Sequence, residues 1–275
     1  MTGNGEKAEV KDAFYVYGIC EATAAAVIAA EGLPGAIEED AGVELITVDG
    51  LSAVVSRVPL ASYAELSLAE NLTDATWTAV RAMRHQQVVE HFARRTSVVP
   101  LRFGAIYLEF EGVERMLTDR KLELKEIIER LRGREEWGIN LYADRETLAG
   151  VIDSLSPRLR DLHEQAATAS PGQSYLLRKK IETLRADESR SELQRISSEV
   201  EDTFRSLADE TRRLRVLRVE ATEHGELTAK FAFLIKRASF EEFRATAERL
   251  ARKHELSGVR LELTGPWPAY NFAGD

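Results

Sequence analysis

His85, His91, His254 and Cys20 are the residues of this chain best suited to acid–base, metal or nucleophilic chemistry, and their surroundings in the sequence argue against all three. His85 and His91 are six residues apart, whereas histidines that share a metal on a helix use an i, i+4 spacing that puts both on one face. His91 falls near the centre of an apolar stripe that starts at Trp77. His254 lies on the face carrying Phe240, Phe243 and Leu250. Both read as hydrogen-bonded, partly buried histidines. Cys20 ends an apolar strand with no histidine close in sequence, which reads as a structural thiol. There is no P-loop, Gly-x-Gly-x-x-Gly, Gly-x-Ser-x-Gly or clustered Asp/Glu signature. The sequence predicts no enzyme, no cofactor and no metal.

Binding is the remaining chemistry, and charge limits the partners. The 275 residues carry 37 Lys plus Arg against 46 Asp plus Glu, a net charge of −9. That balance repels phosphate backbones, so nucleic acid is not the expected partner. Mixed charges at helical spacing over 114–134 and 178–215 read as solvated faces held by i, i+3 and i, i+4 pairs. The same pattern also suits reversible docking, because complementary fields steer partners and set register. One cysteine allows no internal disulfide and no thiolate cage, as expected in a reducing cytoplasm. Residues 1–11 are polar, without the apolar core of a secretion signal, and residues 1–12 read as a disordered N-terminus. No run approaches the roughly 18 apolar residues of a membrane span, so a soluble cytoplasmic protein is expected, with no membrane partner.

The elements that must position any binding surface follow from periodicity. Ala13–Cys20 is aromatic and β-branched and reads as a buried strand. Ala22–Ala30 reads as a short helix. Strands at Val43–Val48 and Leu51–Val58 flank Asp49-Gly50, the dipeptide of a tight hairpin. Trp77, Val80, Val88 and Phe92 fall on one face of a helix over about 73–95, and Thr96–Tyr107 returns to strand, with Pro100 implying an edge or bulge. One helix is predicted over Val113–Leu131, ended by Gly133. Glu136–Ala143 reads as a strand, followed by a short helix and a loop punctuated by Pro157 and Ser170-Pro171-Gly172. Ser174–Arg213 is helical by composition but changes apolar phase near Asp187. Either a new helix starts at the Ser189/Glu192 capping box or one helix switches partners midway. Strands at Leu214–Val219 and Leu227–Lys236 around a His224-Gly225 turn, a helix at Ser239–Lys253 opened by a Ser239/Glu242 capping box, and a strand at Val259–Thr264 complete the order.

The fold class is therefore α+β in two domains, residues 13–110 and 135–264, joined by a connecting helix at 111–134. The second has the β-α-β-β-α-β order of a ferredoxin-like split βαβ with extra helix in its first crossover. The first is an α+β sandwich of related topology. After them comes Gly265-Pro266-Trp267-Pro268-Ala269-Tyr270-Asn271-Phe272, within a docked tail at 265–275. Two prolines keep it out of a helix or a central strand. It reads as an extended ribbon anchored by Trp267, Tyr270 and Phe272, either clamped on its own domain or also meeting a partner. Trp137 reads as core.

An ordered set of motifs resembles the gas vesicle protein L/F family from Phe14 onward. The set is His85 on its helix, then Val98-Val99-Pro100-Leu101-Arg102-Phe103-Gly104, Glu136-Trp137-Gly138-Ile139, Ser170-Pro171-Gly172 with Tyr175-Leu176-Leu177 and Lys179, and Thr264-Gly265-Pro266-Trp267-Pro268 with Tyr270 and Phe272. The chain departs from it at Ala269 and Asn271, where a second proline and a serine are expected. The resemblance implies a non-enzymatic accessory protein of gas vesicle formation that contacts the small, very hydrophobic major shell protein, and with it other accessory proteins. Its role would be assembly factor, chaperone or minor vesicle component. Exposed apolar subunits stack edge to edge, and a helper can cover them. The implied interface includes Arg102, Phe103, His85 and Pro100, with Trp267, Tyr270 and Phe272 from the tail. Arg102 could equally be an ion pair holding the His85 helix on its sheet. The rival readings are a small-molecule-binding regulatory domain and, more remotely, a hydrolase that uses His85.

Overall fold

The structure, a computed structural model, describes residues 12–216, 221–222 and 225–274. They form two compact units: residues 12–133 with 268–274, and residues 134–267.

The first unit is built on a sheet of five strands. β1 (Asp12–Glu21) lies at its centre, and the hairpin of β2 (Val43–Val48) and β3 (Leu51–Pro59) flanks it on one side. Asp49 and Gly50 both have positive φ, 53° and 85°, the geometry a two-residue hairpin turn demands and the reason Asp-Gly marks it. On the other side of β1 the long strand expected over Thr96–Tyr107 is reduced to two short pieces, β4 (Val99–Pro100) and β5 (Ile106–Tyr107), which both pair with β1. Proline at 100 and positive φ at Gly104 stop the ladder between them.

Helix α1 (Ala22–Glu31) and the longer α4 (Ala75–Ala93) share one core with Tyr15, Tyr17 and Val54 of the sheet. α2 (Leu60–Tyr63) and α3 (Glu65–Asn71) precede α4 and have no counterpart in the sequence reading, because neither is long enough to establish a stripe. Asp74 caps α4 by accepting from the backbone N–H groups of Thr76 and Trp77. The single helix predicted over 113–131 is two, α5 (Phe110–Asp119) and α6 (Lys121–Leu131). The break at Arg120 lets α5 pack on β2 and β3 while α6 packs on β1 and β4. Gly18 allows β4 to approach β1, since a Cβ there would sit 2.8 Å from Val98 Cγ1 and 3.0 Å from the Val99 carbonyl. Gly18→Val should therefore lower the unit's stability by about 1–3 kcal/mol in urea titrations, the usual cost of overpacking. An unchanged midpoint would show that the β4 margin can shift freely.

The second unit repeats the strand order. Numbered within each unit, the main strands run 2-3-1-4: β2-β3-β1-β4 in the first unit, and β7-β9-β6-β10 in the second. Here β6 is Arg134–Ala143, β7 Glu210–Leu214, β9 Gly225–Lys236 and β10 Val259–Trp267, with a two-residue β8 (Ala221–Thr222) beside β9. All pairings are antiparallel. The first crossover holds α7 (Arg145–Leu155), α8 (Pro157–Thr168) and the 35-residue α9 (Pro171–Arg205), and α10 (Phe240–Glu255) fills the second.

Pro157 and Pro171, read from sequence as loop punctuation, each open a helix, the one helical position that has no use for the missing N–H. α9 resolves the phase change: it is continuous and switches partners. Ile181 packs with Leu148, Ile152 and Leu159, whereas Ile196, Val200 and Phe204 join Phe231, Phe233 and Phe243 under the sheet. Ser189 and Glu192 are mid-helix and cap nothing, and Ser239 precedes α10 without a side-chain capping bond. The strand placed at Leu214–Val219 begins earlier, at Glu210, where residues 210–214 pair with β9. Residues 217–219 of that segment, His224 of the proposed turn and residues 1–11 lie outside the described residues.

Candidate functional site

The tail departs most from expectation. Gly265–Trp267 continue β10, with a register shift before Trp267 pairs with Glu136. β10 is an edge strand, so Pro266 removes no interior hydrogen bond. Residues 268–274 then belong to the first unit rather than to the C-terminal one. Phe272 is 0 % exposed there, and its carbonyl accepts from Arg130 Nη2 at 2.6 Å.

Tyr270 docks on His85, the rings stacked at 6.4 Å between centroids. Its hydroxyl lies 3.1 Å from His85 Nε2 and donates to Gln86 Oε1 at 3.2 Å. It can therefore only accept from His85, which puts the ring proton on Nε2. Nδ1 is left to accept from the Tyr15 hydroxyl at 2.8 Å, and that hydroxyl in turn accepts from the Gly104 N–H. Tyr17 stacks on the same imidazole and Phe103 meets it edge-on. Burial pushes the His85 pKa down to about 4, opposed by a hydrogen bond to the Leu101 backbone. Burial also raises the Tyr15 and Tyr17 phenols. These groups are neutral near pH 7, and their hydrogen bonds and ring contacts hold Tyr270 against α4 and β1.

The ion pair that could have involved Arg102 is made by Arg81. Its guanidinium holds Glu38 through both carboxylate oxygens at 2.8 and 2.9 Å and covers the Trp77 ring at 4.1 Å, while Tyr63 donates to the same carboxylate. Arg102 is exposed and has no acidic partner among the described residues. Sequence reasoning missed Tyr15, Arg81 and Tyr63, whose bonds to His85 and Glu38 span 25 to 70 residues. His91 diverges from His85 around α4, and His254 lies 3.5 Å from Glu199. Cys20 is buried, its thiol pushed up to about 12 by burial. Among the described residues no three His, Cys, Asp or Glu side chains are grouped to hold a metal, and no helix is long and apolar enough to cross a membrane.

What remains open is the margin of the first sheet beside β5; β4 is buried, with α6 packed on it. Leu108 is 63 % exposed and Phe110 42 %, with Arg102 nearby in sequence and Phe103 half-buried. Trp267, on the second unit's edge strand, is 46 % exposed, and its indole N–H donates to Thr264 at 3.2 Å.

These features define a two-unit α+β protein with two antiparallel sheets and an apolar margin at a sheet edge. The family model described as "Gas vesicle synthesis protein GvpL/GvpF" matches residues 13–274, and the chain belongs to that family. It is 29 % identical to gas vesicle protein L of Streptomyces sp. strain CB03234 over 230 residues, covering 82 % of this chain and 80 % of that one. It is 24 % identical to gas vesicle protein L1 of Halobacterium salinarum, covering 100 % and 95 %. The crystal structure of gas vesicle protein GvpF from Anabaena sp. PCC7120 superposes with a TM-score of 0.65 at 21 % identity, covering 96 % of this chain and 97 % of that one, and so shares the fold. Membership places the chain among the accessory proteins of gas vesicle synthesis.

Proposed function

We propose that the chain supports gas vesicle formation by covering apolar surface of the major shell protein, as assembly factor, chaperone or minor vesicle component. The observation that carries this reading is the incomplete edge of the first sheet. β4 is buried, but the two-residue β5 leaves the ladder short, with Leu108 and Phe110 beside it in water. A partner segment can lie along such an edge and bury those side chains. Arg102 and Phe103 flank this edge, and Pro100 limits how a partner strand can pair there. His85, Tyr270 and Phe272 act behind it by fixing the tail.

We read the second sheet as a ferredoxin-like split βαβ and the first as its topological relative, a reading supported by the shared 2-3-1-4 order.

The test is retention of co-expressed major shell protein by the full chain. Arg102→Glu with Leu108→Glu should reduce retention about tenfold, the effect of losing one or two central contacts. The melting temperature should stay unchanged, because both side chains are exposed. Undiminished retention would remove this margin from the interface.

A further inference from the structure

The α8–α9 tip carries charge of the opposite sign to the rest of the chain. No Asp or Glu occurs between Glu164 and Glu182, whereas Arg178, Lys179 and Lys180 stand in succession, in a chain of net charge −9. None of the three has an acidic partner among the described residues. Nearby arginines are committed: Arg185 holds Asp153, and Arg195 holds Glu192 and Glu199. Beside these cations Tyr175 is 64 % exposed and Leu176 66 %. Between α8 and α9 lies a hollow lined by His163, Ala166, Arg178, Ile181, Glu182 and Arg185, in which Ala166 and Ile181 are buried and apolar.

We propose that this tip is a docking site for an acidic amphipathic helix of a partner protein. Its carboxylates would meet Arg178 and Lys179, which share a face with Tyr175, with Lys180 adding to the local field, and its apolar side chains would cover Tyr175 and the adjoining hollow. Cations left unpaired beside exposed apolar side chains fit a ligand that combines both characters. Arg178, Lys179 and Lys180 fall within one turn of α9, so one or two turns of a partner helix suffice to meet them. A long polyanion would run past the tip into the acidic remainder of the chain. A second copy would bury far less here than the roughly 1,200–2,000 Å² of a stable interface, since only two large apolar side chains are offered.

The tip belongs to the second unit and the sheet margin to the first, and different substitutions test them, so either can fail alone. The test uses the full chain and a fluorescein-labelled peptide of about four helical turns, with Leu at i, i+3, i+4 spacing and Glu elsewhere, read by anisotropy. Binding should weaken about tenfold when Arg178, Lys179 and Lys180 are all changed to Glu, and by a similar factor at high salt. The triple change to Gln should weaken it in the same direction, and Tyr175→Ala should weaken it without moving the melting temperature. A peptide with Lys in place of Glu should not bind. No binding of the acidic peptide, binding indifferent to these substitutions, or equal binding of a scrambled peptide would overturn the proposal. So would preferential binding of an oligothymidine or of phosphatidylglycerol vesicles, or a dimer abolished by the triple variant.

Discussion

Phe272→Ala is expected to destabilise the first unit by about 3–5 kcal/mol, the range for deleting a fully buried aromatic ring. The ring is 0 % exposed, and the backbone beside it is fixed by the bond from Arg130 to the Phe272 carbonyl and by Tyr270 on His85. Native-state hydrogen exchange separates the two units. Amides of β1 should lose protection by the full amount, while those of β9 keep theirs. Trp267→Ala, only a few residues earlier, should cost far less because that indole is half in water. Unchanged protection of β1 in Phe272→Ala would mean that the tail adds nothing to the unit on which it lies.

Acid is expected to act through His85. An unfolded histidine titrates near 6.5, whereas the folded one is held at about 4. The neutral form is therefore favoured by folding. The stabilisation is complete above pH 6.5 and is lost as pH falls from there toward 4, because the unfolded chain binds the proton first. The gap corresponds to about 3 kcal/mol over that window. The groups facing the ring are the hydroxyls of Tyr15 and Tyr270, the Tyr17 and Phe103 rings and the Leu101 backbone, and none of them offers a carboxylate to an imidazolium. His91 and His254 are also held below the ordinary range by burial, so the diagnostic quantity is a difference. His85→Gln should be less stable than the parent at pH 7 and should lose less on going to pH 4.5 in parallel urea titrations. Equal losses would show that the imidazole is not the group that responds.

Local chemistry was legible where one residue type has one solution. Asp49-Gly50 specified the hairpin because few residues tolerate two successive positive φ values, and the aromatic, β-branched run around Tyr15 could hardly be other than a buried strand. The phase change along α9 was visible, and one continuous helix that switches partners was one of the two readings it allowed, the other being a new helix at Ser189. Prolines misled where they start helices, at 157 and 171. A continuous stripe over 113–131 concealed a break, because residues seven apart keep the same face on either side of Arg120. His85, Tyr270 and Phe272 were legible as residues of consequence. Their meeting was not, because the hydrogen bond joining His85 to Tyr270 spans 185 positions and carries no periodic signal.

The return of residues 268–274 to the first unit also bears on how the polypeptide is made. Synthesis runs from the N-terminus, so β1 to α6 leave the ribosome while the ring that completes their core, Phe272, has yet to be translated. The earlier-made half must wait, incompletely filled, through the whole production of the later half. Its final closure thus follows the synthesis of residues 268–274.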